Sequence, residues 1–259
     1  MRPRSPMPGN ASPPPPAPLR LRLGLVADAA LPGESVLPLT ALQRAGWAIV
    51  WTEPGVIEAV GLPVGRIVGP GAPLPLSSDG EVWLRGERGP DDVTAAVSSL
   101  RGLDDPPPIS VDAHDAAAAE LAGRLGVTPV LGPAPLPDLL SLAAAHGSAG
   151  GLAVLLPVSI GRTDAEARAR VHRDAWLAAR ERDGSLLVGT LEACQDAVIA
   201  LAHAGVGDLR LRPAITADLH DVLAQLSALG RSPLDRLRPG VPRSPAPPAP
   251  TDWGGRPGR

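Results

Sequence analysis

The sequence predicts an α/β protein of the (β/α)8 TIM-barrel-like class, either complete or short of one unit. Three observations predict it. Short apolar strands alternate with amphipathic helices through the whole middle of the chain, the pattern of a parallel sheet covered by helices. Up to eight strand–helix units can be counted, the number a barrel requires. The stretch Leu186 to Pro213 shows one such unit in full. There Thr190 is a good N-cap, and Glu192 places negative charge at the positive end of the helix dipole. Leu191, Cys194, Val198, Leu201 and Ala202 fall on one helical face. Gly205 stops the helix, and Val206 to Arg212 then alternates, with Leu209 and Leu211 opposite Arg210 and Arg212.

The remaining elements follow in order. Leu19 to Ala27 alternates leucines with Arg20, Arg22 and Gly24, a strand with Asp28 at its carboxyl end. Ser35 to Ala45 is a helix ended by Gly46, and Trp47 to Thr52 a more apolar strand closed by Glu53. Arg66 to Val68 and Glu81 to Leu84 are short strands flanked by loop and charge. Pro90 to Leu103 is a helix with Pro at its first turn. Ile109 to Val111 is a strand running into Asp112-Ala113-His114-Asp115, and a helix from Asp115 ends at Gly126. Strand 127–131, helix 136–145 and the very apolar strand 152–160 come next. Thr163 to Arg182 reads as one long helix opened by a Thr163–Glu166 capping box, with Glu166 and Arg170 as an i,i+4 pair. A helix over 216–229 completes the fold.

The folded domain is thus expected over 19–232. Residues 1–18, with Pro13 to Pro16 in a row, and 233–259, rich in Pro, Gly and Arg, cannot bury enough apolar surface and are predicted to be disordered.

Composition narrows the chemistry. The formal net charge is −3, so charge gives no reason to expect a nucleic-acid surface. All 24 basic residues are arginine, and there is no tyrosine or phenylalanine. A Schiff-base lysine and a tyrosine general acid are therefore excluded. The single cysteine, Cys194, excludes an internal disulfide and reads as a buried thiol. No apolar run approaches the ~18 residues of a membrane span, and the amino terminus lacks a signal-peptide core. A cytoplasmic protein without membrane contact is the expectation. No second His or Cys stands at ligand spacing beside His114, so no metal site is predicted.

In a barrel, function collects where the strands end. Glu53 is there, as an acid/base group or a solvated strand-end carboxylate. Asp112 and His114 are two apart and share one side of an extended segment. A His beside a carboxylate can act as a general base, while Asp115 is more simply an N-cap. Gly69 and Gly71 either admit close backbone approach of a ring or phosphate or are turn glycines beside Pro70. Arg210 and Arg212 should face the barrel axis, with Leu209 and Leu211 toward the helices. Arg210, the deeper, should pair with a carboxylate from another strand, and Arg212, at the mouth, is placed to grip an anion.

Three segments resemble the luciferase-like oxidoreductases, barrel enzymes that use FMN or the deazaflavin F420. Pro107-Pro108-Ile109-Ser110-Val111 and the helix Ala116 to Gly126 are similar to the family's Pro-Pro-Ile strand and the helix after it. Leu187-Val188-Gly189-Thr190-Leu191-Glu192 resembles its val-gly-thr-pro-glu segment, and Ala204 to Leu211 its last strand. The resemblance implies hydride transfer between FMN or F420 and a small organic substrate. It places Glu53 and His114 as catalytic candidates and Gly69, Gly71, Ala113 and Arg212 against the cofactor. Several features depart from the pattern. Leu191 stands where Pro is common, Pro54 stands where the family has His after an acidic residue, Asp112-Ala113-His114 replaces a Gly-rich loop, and the middle strands are expected to be cut down to 73–105. They motivate the alternative expectation of a non-catalytic barrel that binds a partner. A homodimer or a partner subunit is compatible with either.

Overall fold

The structure is a computed structural model that describes residues 21–27, 39–53, 62–75, 80–146, 151–214 and 219–236. Most of both predicted tails, Asp28 and residues 35–38 of the first helix lie outside the described residues.

The elements are β1 (Arg22–Ala27), α1 (Leu39–Arg44), β2 (Trp47–Thr52), β3 (Val64–Val68), β4 (Glu81–Leu84) and α2 (Pro90–Arg101). They continue with β5 (Ile109–Ala113), α3 (Ala116–Arg124), β6 (Thr128–Leu131), α4 (Leu136–His146) and β7 (Leu152–Gly161). The chain then forms α5 (Asp164–Val171), α6 (Ala175–Arg182), β8 (Leu187–Thr190), α7 (Leu191–His203), β9 (Val206–Pro213) and α8 (Leu219–Arg236).

Eight parallel strands close into a barrel in the order β6-β5-β4-β3-β2-β1-β9-β7, with β7 paired back onto β6. The short strands β3 and β4 pair in register on both sides, so the barrel is complete. β8 stands outside that ring. The lower part of β7 pairs with β9, while Val158–Gly161 pairs with Leu187–Thr190.

Period two sorts the side chains as expected. Leu23, Leu25, Leu209 and Leu211 point outward into an aliphatic layer with Val198 and Leu201 of α7 and Leu226 of α8. A second layer joins Leu84 and Val111 to Val97 and Leu100 of α2. Inside, Trp51 and Trp83 meet edge to face at 5.7 Å between ring centroids. Two glycines make room for them. A Cβ on Gly65 would lie 2.4 Å from Trp51 Cε3, and one on Gly24 2.9 Å from Trp51 Nε1.

The Arg210 guanidinium lies 3.8 Å from the Trp51 ring centroid and 4.6 Å from that of Trp83. It is buried, and burial pulls its pKa below the ordinary arginine value. Its carboxylate partner is Asp208, at 3.2 Å from both Nε and Nη2. The expected carboxylate from another strand is therefore corrected: the acid is two residues back on β9, where alternation puts it on the same face. Another strand supplies a hydroxyl instead, Ser110 Oγ at 2.9 Å.

Two helix boundaries differ from expectation. The helix predicted over 163–182 is two, because Asp174 Oδ1 accepts from the amides of Trp176 and Leu177 at 3.1 Å and starts α6 afresh. α8 continues to Arg236, past residue 229, the expected end of the helix, and into the first residues of the expected tail. Gly230 permits close packing, since a Cβ there would be 2.6 Å from Trp47 Nε1. The other caps match. Thr163 Oγ1 accepts from Glu166 N at 3.2 Å, Asp115 caps α3 through Ala118 N at 2.7 Å, and Glu166 pairs with Arg170 at 2.8 Å.

Candidate functional site

The carboxyl end of β5 carries the densest set of polar groups. Asp112 is buried and points to the barrel side of the strand, where it accepts from Trp83 Nε1 and from the Gly86 amide, each at 2.7 Å. Burial raises its pKa above the ordinary aspartate value, and those two hydrogen bonds and nearby His114 act against the rise. The carboxylate thus ties β5 to the loop after β4.

His114, two residues on, is exposed on the rim of a cleft of about 390 Å³. The cleft lies between α2 and α3, with Val93, Val111 and Leu121 as apolar walls and Arg88 and Arg124 on its edge. Ala113, between the two polar residues, faces the helices and packs in the outer aliphatic layer. Any cofactor contact it makes would use its backbone.

Gly69 and Gly71 follow β3. Nothing lies within 4 Å of a Cβ built on Gly69, and its carbonyl accepts from Arg88 Nη2. Gly71 has φ +73°, a conformation that side chains other than glycine rarely adopt, and it borders a second cleft on the far side of Arg88. Arg88 therefore links the two glycines to the rim that holds His114. Glu53 is half-buried after β2, where its carbonyl accepts from Thr52 Oγ1 at 3.2 Å. Pro54 lies outside the described residues.

Arg212 is elsewhere on the ring, on β9, separated from β5 by β7 and β6. It is 4 % exposed. Its Nη1 donates to Asp174 Oδ2 at 2.5 Å, and its guanidinium lies 4.5 Å from the centroid of Trp176. Its charge is thus matched from within the chain, by the residue that caps α6. Among the predicted site residues, then, His114, Gly69 and Gly71 gather around Arg88, and Arg212 stands apart from them.

Sequence reasoning missed Trp83, Arg88 and Asp174. Trp83 sits in a strand of only four residues flanked by charge. Asp174 carried a readable signal, an acid directly before an Ala-Trp-Leu run. Arg88 carried none, because its partners are backbone carbonyls. Among the described residues no group of three or more His, Cys, Asp or Glu side chains converges as a metal site would need, and no helix is long and apolar enough to cross a membrane.

No protein-family model matches the sequence. No curated protein matches it either. The fold does have counterparts among solved structures. The coenzyme F420-dependent tetrahydromethanopterin reductase of Methanopyrus kandleri superposes with a TM-score of 0.60 at 10% identity, over 85% of this chain and 100% of that one. An F420-dependent secondary alcohol dehydrogenase, in complex with an F420–acetone adduct, gives 0.58 at 12% identity, over 81% and 98%. The EDTA monooxygenase of Chelativorans sp. BNC1 gives 0.57 at 11% identity, over 85% and 95%. At these identities the likeness is one of fold.

Proposed function

We propose that the chain is a luciferase-like oxidoreductase that works at the carboxyl ends of its barrel strands, with FMN or F420 as the hydride carrier and a small organic molecule as substrate. The observation that carries this reading is the complete barrel. Its solved counterparts include a reductase and a dehydrogenase named for F420 and a monooxygenase, and the Pro107 to Gly126 and Leu187 to Leu211 segments resemble that family independently. When bound, the cofactor supplies the hydride chemistry, and the protein supplies position and proton handling.

The residues fit its parts unequally. Open space beside Gly69 suits a flat ring approaching the backbone. His114, near the Asp112 carboxylate, is suited to hold or move a proton at the rim, and Glu53 would do so from β2. A phosphate does not fit at Arg212, where it would have to displace Asp174. No step is assigned to Arg212.

Titration of the purified protein with FMN and with F420 tests the reading. An absorbance or fluorescence change saturating at micromolar concentration is expected for one of them. No binding of either would sink it.

One observation favours a second reading. Arg212 bound to Asp174 and Asp112 bound to Trp83 and Gly86 leave two mouth positions engaged within the chain, as in a barrel retained to bind a partner subunit. That reading predicts a stable complex with another protein and no cofactor. Purification that recovers this chain alone would count against it.

A further inference from the structure

We propose that the cleft between α2 and α3 is a binding site for a small carboxylate with an apolar tail, its headgroup received by Arg88 and its tail by the facing helix walls. The cleft adjoins the barrel mouth and shares His114 with it, but its ligand is argued from Arg88 and does not depend on the oxidoreductase reading.

The charge at Arg88 carries the argument. Its Nη2 donates to the carbonyls of Val68, at 3.1 Å, and Gly69, which are neutral acceptors. Among the described residues Arg88 makes no ion pair, and its Nε is buried with no hydrogen-bond partner. The guanidinium therefore brings a charge without a counter-ion to the cleft wall, and a charge-assisted bond to an anion in the cleft would supply one.

The surroundings select the anion. The buried or capping acids of the cleft are committed, Asp112 to Trp83 and Gly86 and Asp115 to the cap of α3. Glu87 is exposed on the loop. His114 and Arg124 add donors on the same rim, Arg124 shared with Glu120 at 3.0 Å. Arg88 and Glu87 also border the second cleft, past Gly71, but there the further charged neighbour is Asp92, whereas the first cleft adds Arg124 and His114. The walls below the rim are Val93, Val111, Ala117, Ala118 and Leu121, an apolar lining. The volume of about 390 Å³ lies within the ~300–1,000 Å³ usual for small-molecule sites.

Isothermal titration of the full chain with octanoate, 1-octanol and octylamine tests the site. Octanoate should bind at least ~10-fold more tightly than either of the others, the scale of one charge-assisted hydrogen bond. Arg88→Gln should weaken octanoate ~10-fold or more while leaving the weak binding of 1-octanol unchanged. Ala117→Trp, an exposed position on α3 that fills the cleft without touching the core, should abolish binding, and Ala95→Trp, across the loop on α2, should not. If Arg88→Gln does not fold, the two tryptophan variants decide. Absence of octanoate binding, equal binding of octylamine, or blockage by Ala95→Trp rather than Ala117→Trp would overturn the proposal. Because FMN and F420 are titrated separately, failure here leaves the cofactor result to stand by itself.

Discussion

Arg212 and Asp174 form a buried ion pair, with side chains 4 % and 7 % exposed, that joins the carboxyl end of β9 to the first turn of α6. Removing one member of such a pair strands the other's charge away from water. Arg212→Ala and Asp174→Ala should each cost about 3–5 kcal/mol in urea unfolding. Asp174→Ala should cost about 1 kcal/mol more, because the α6 cap is lost with it. A stability change in Arg212→Ala within ~0.5 kcal/mol of zero, the range of an ordinary surface substitution, would show the pair to be energetically idle.

Asp112 is the common acceptor of the Trp83 indole and the Gly86 amide. Asp112→Ala leaves both donors without an acceptor, at about 1–3 kcal/mol for each that water cannot reach. The variant should be destabilised in chemical denaturation, and the tryptophan emission should shift as Trp83 loses its partner. Unaltered emission together with unaltered stability would contradict the arrangement.

Gly65 lies under the Trp51 indole, where an added Cβ would come within 2.4 Å of Trp51 Cε3. Gly65→Ala should overpack the barrel interior and cost about 1–3 kcal/mol. Gly69→Ala, with open space around it, is the control and should be close to neutral. Equal thermal midpoints for the two variants would rule out this packing account.

Much of this was readable from residue order. The alternation of Leu209 and Leu211 with Arg210 and Arg212 assigns faces without any coordinates, because a strand has period two. The caps at Thr163 and Asp115 follow from local chemistry in the same way. What was not readable is non-local. Nothing near Arg210 in sequence says that two indoles from β2 and β4 will flank it, or that Ser110 will reach it across the barrel. The break at Asp174 carries only a local cap signal, which the helical pattern overrides because Arg168 to Arg182 lacks Gly and Pro. Arg88 was illegible for the same non-local reason, since its charge matters only once α3 is packed opposite.

Cys194 is fully buried on α7, and burial pushes its thiol pKa up to about 12. The thiolate is the reactive form, so at pH 8 the native protein should react with a disulfide reagent only as fast as it opens. In denaturant the reaction should be complete within mixing. Rapid stoichiometric labelling of the native protein would place Cys194 at the surface.

Asp221 of α8 accepts from Arg170 and Arg162, and the Arg170 bond holds its pKa below the ordinary aspartate value. A depressed carboxyl contributes stability above its unfolded pKa of ~3.9 and loses it as pH falls through the folded value. The difference in melting temperature between the wild type and Asp221→Asn should be full at pH 7 and close as the pH falls through the lowered folded value. Asp112 and Asp208, both raised by burial, have the opposite sign: what they contribute in acid is lost as pH rises through their folded values. A gap that widens in acid would reverse the assignment for Asp221.

The stacking of Arg210 on Trp51 and Trp83 also fills the middle of the molecule. The waist of the barrel is occupied by an ion pair, Arg210 with Asp208, whose guanidinium packs against both indoles. The cleft at the amino end, among Arg22 and Glu81, has that pair in its wall. Each end of the barrel therefore has its own set of lining residues, and the buried pair at the waist is in electrostatic reach of Arg22 and Glu81 at the amino end.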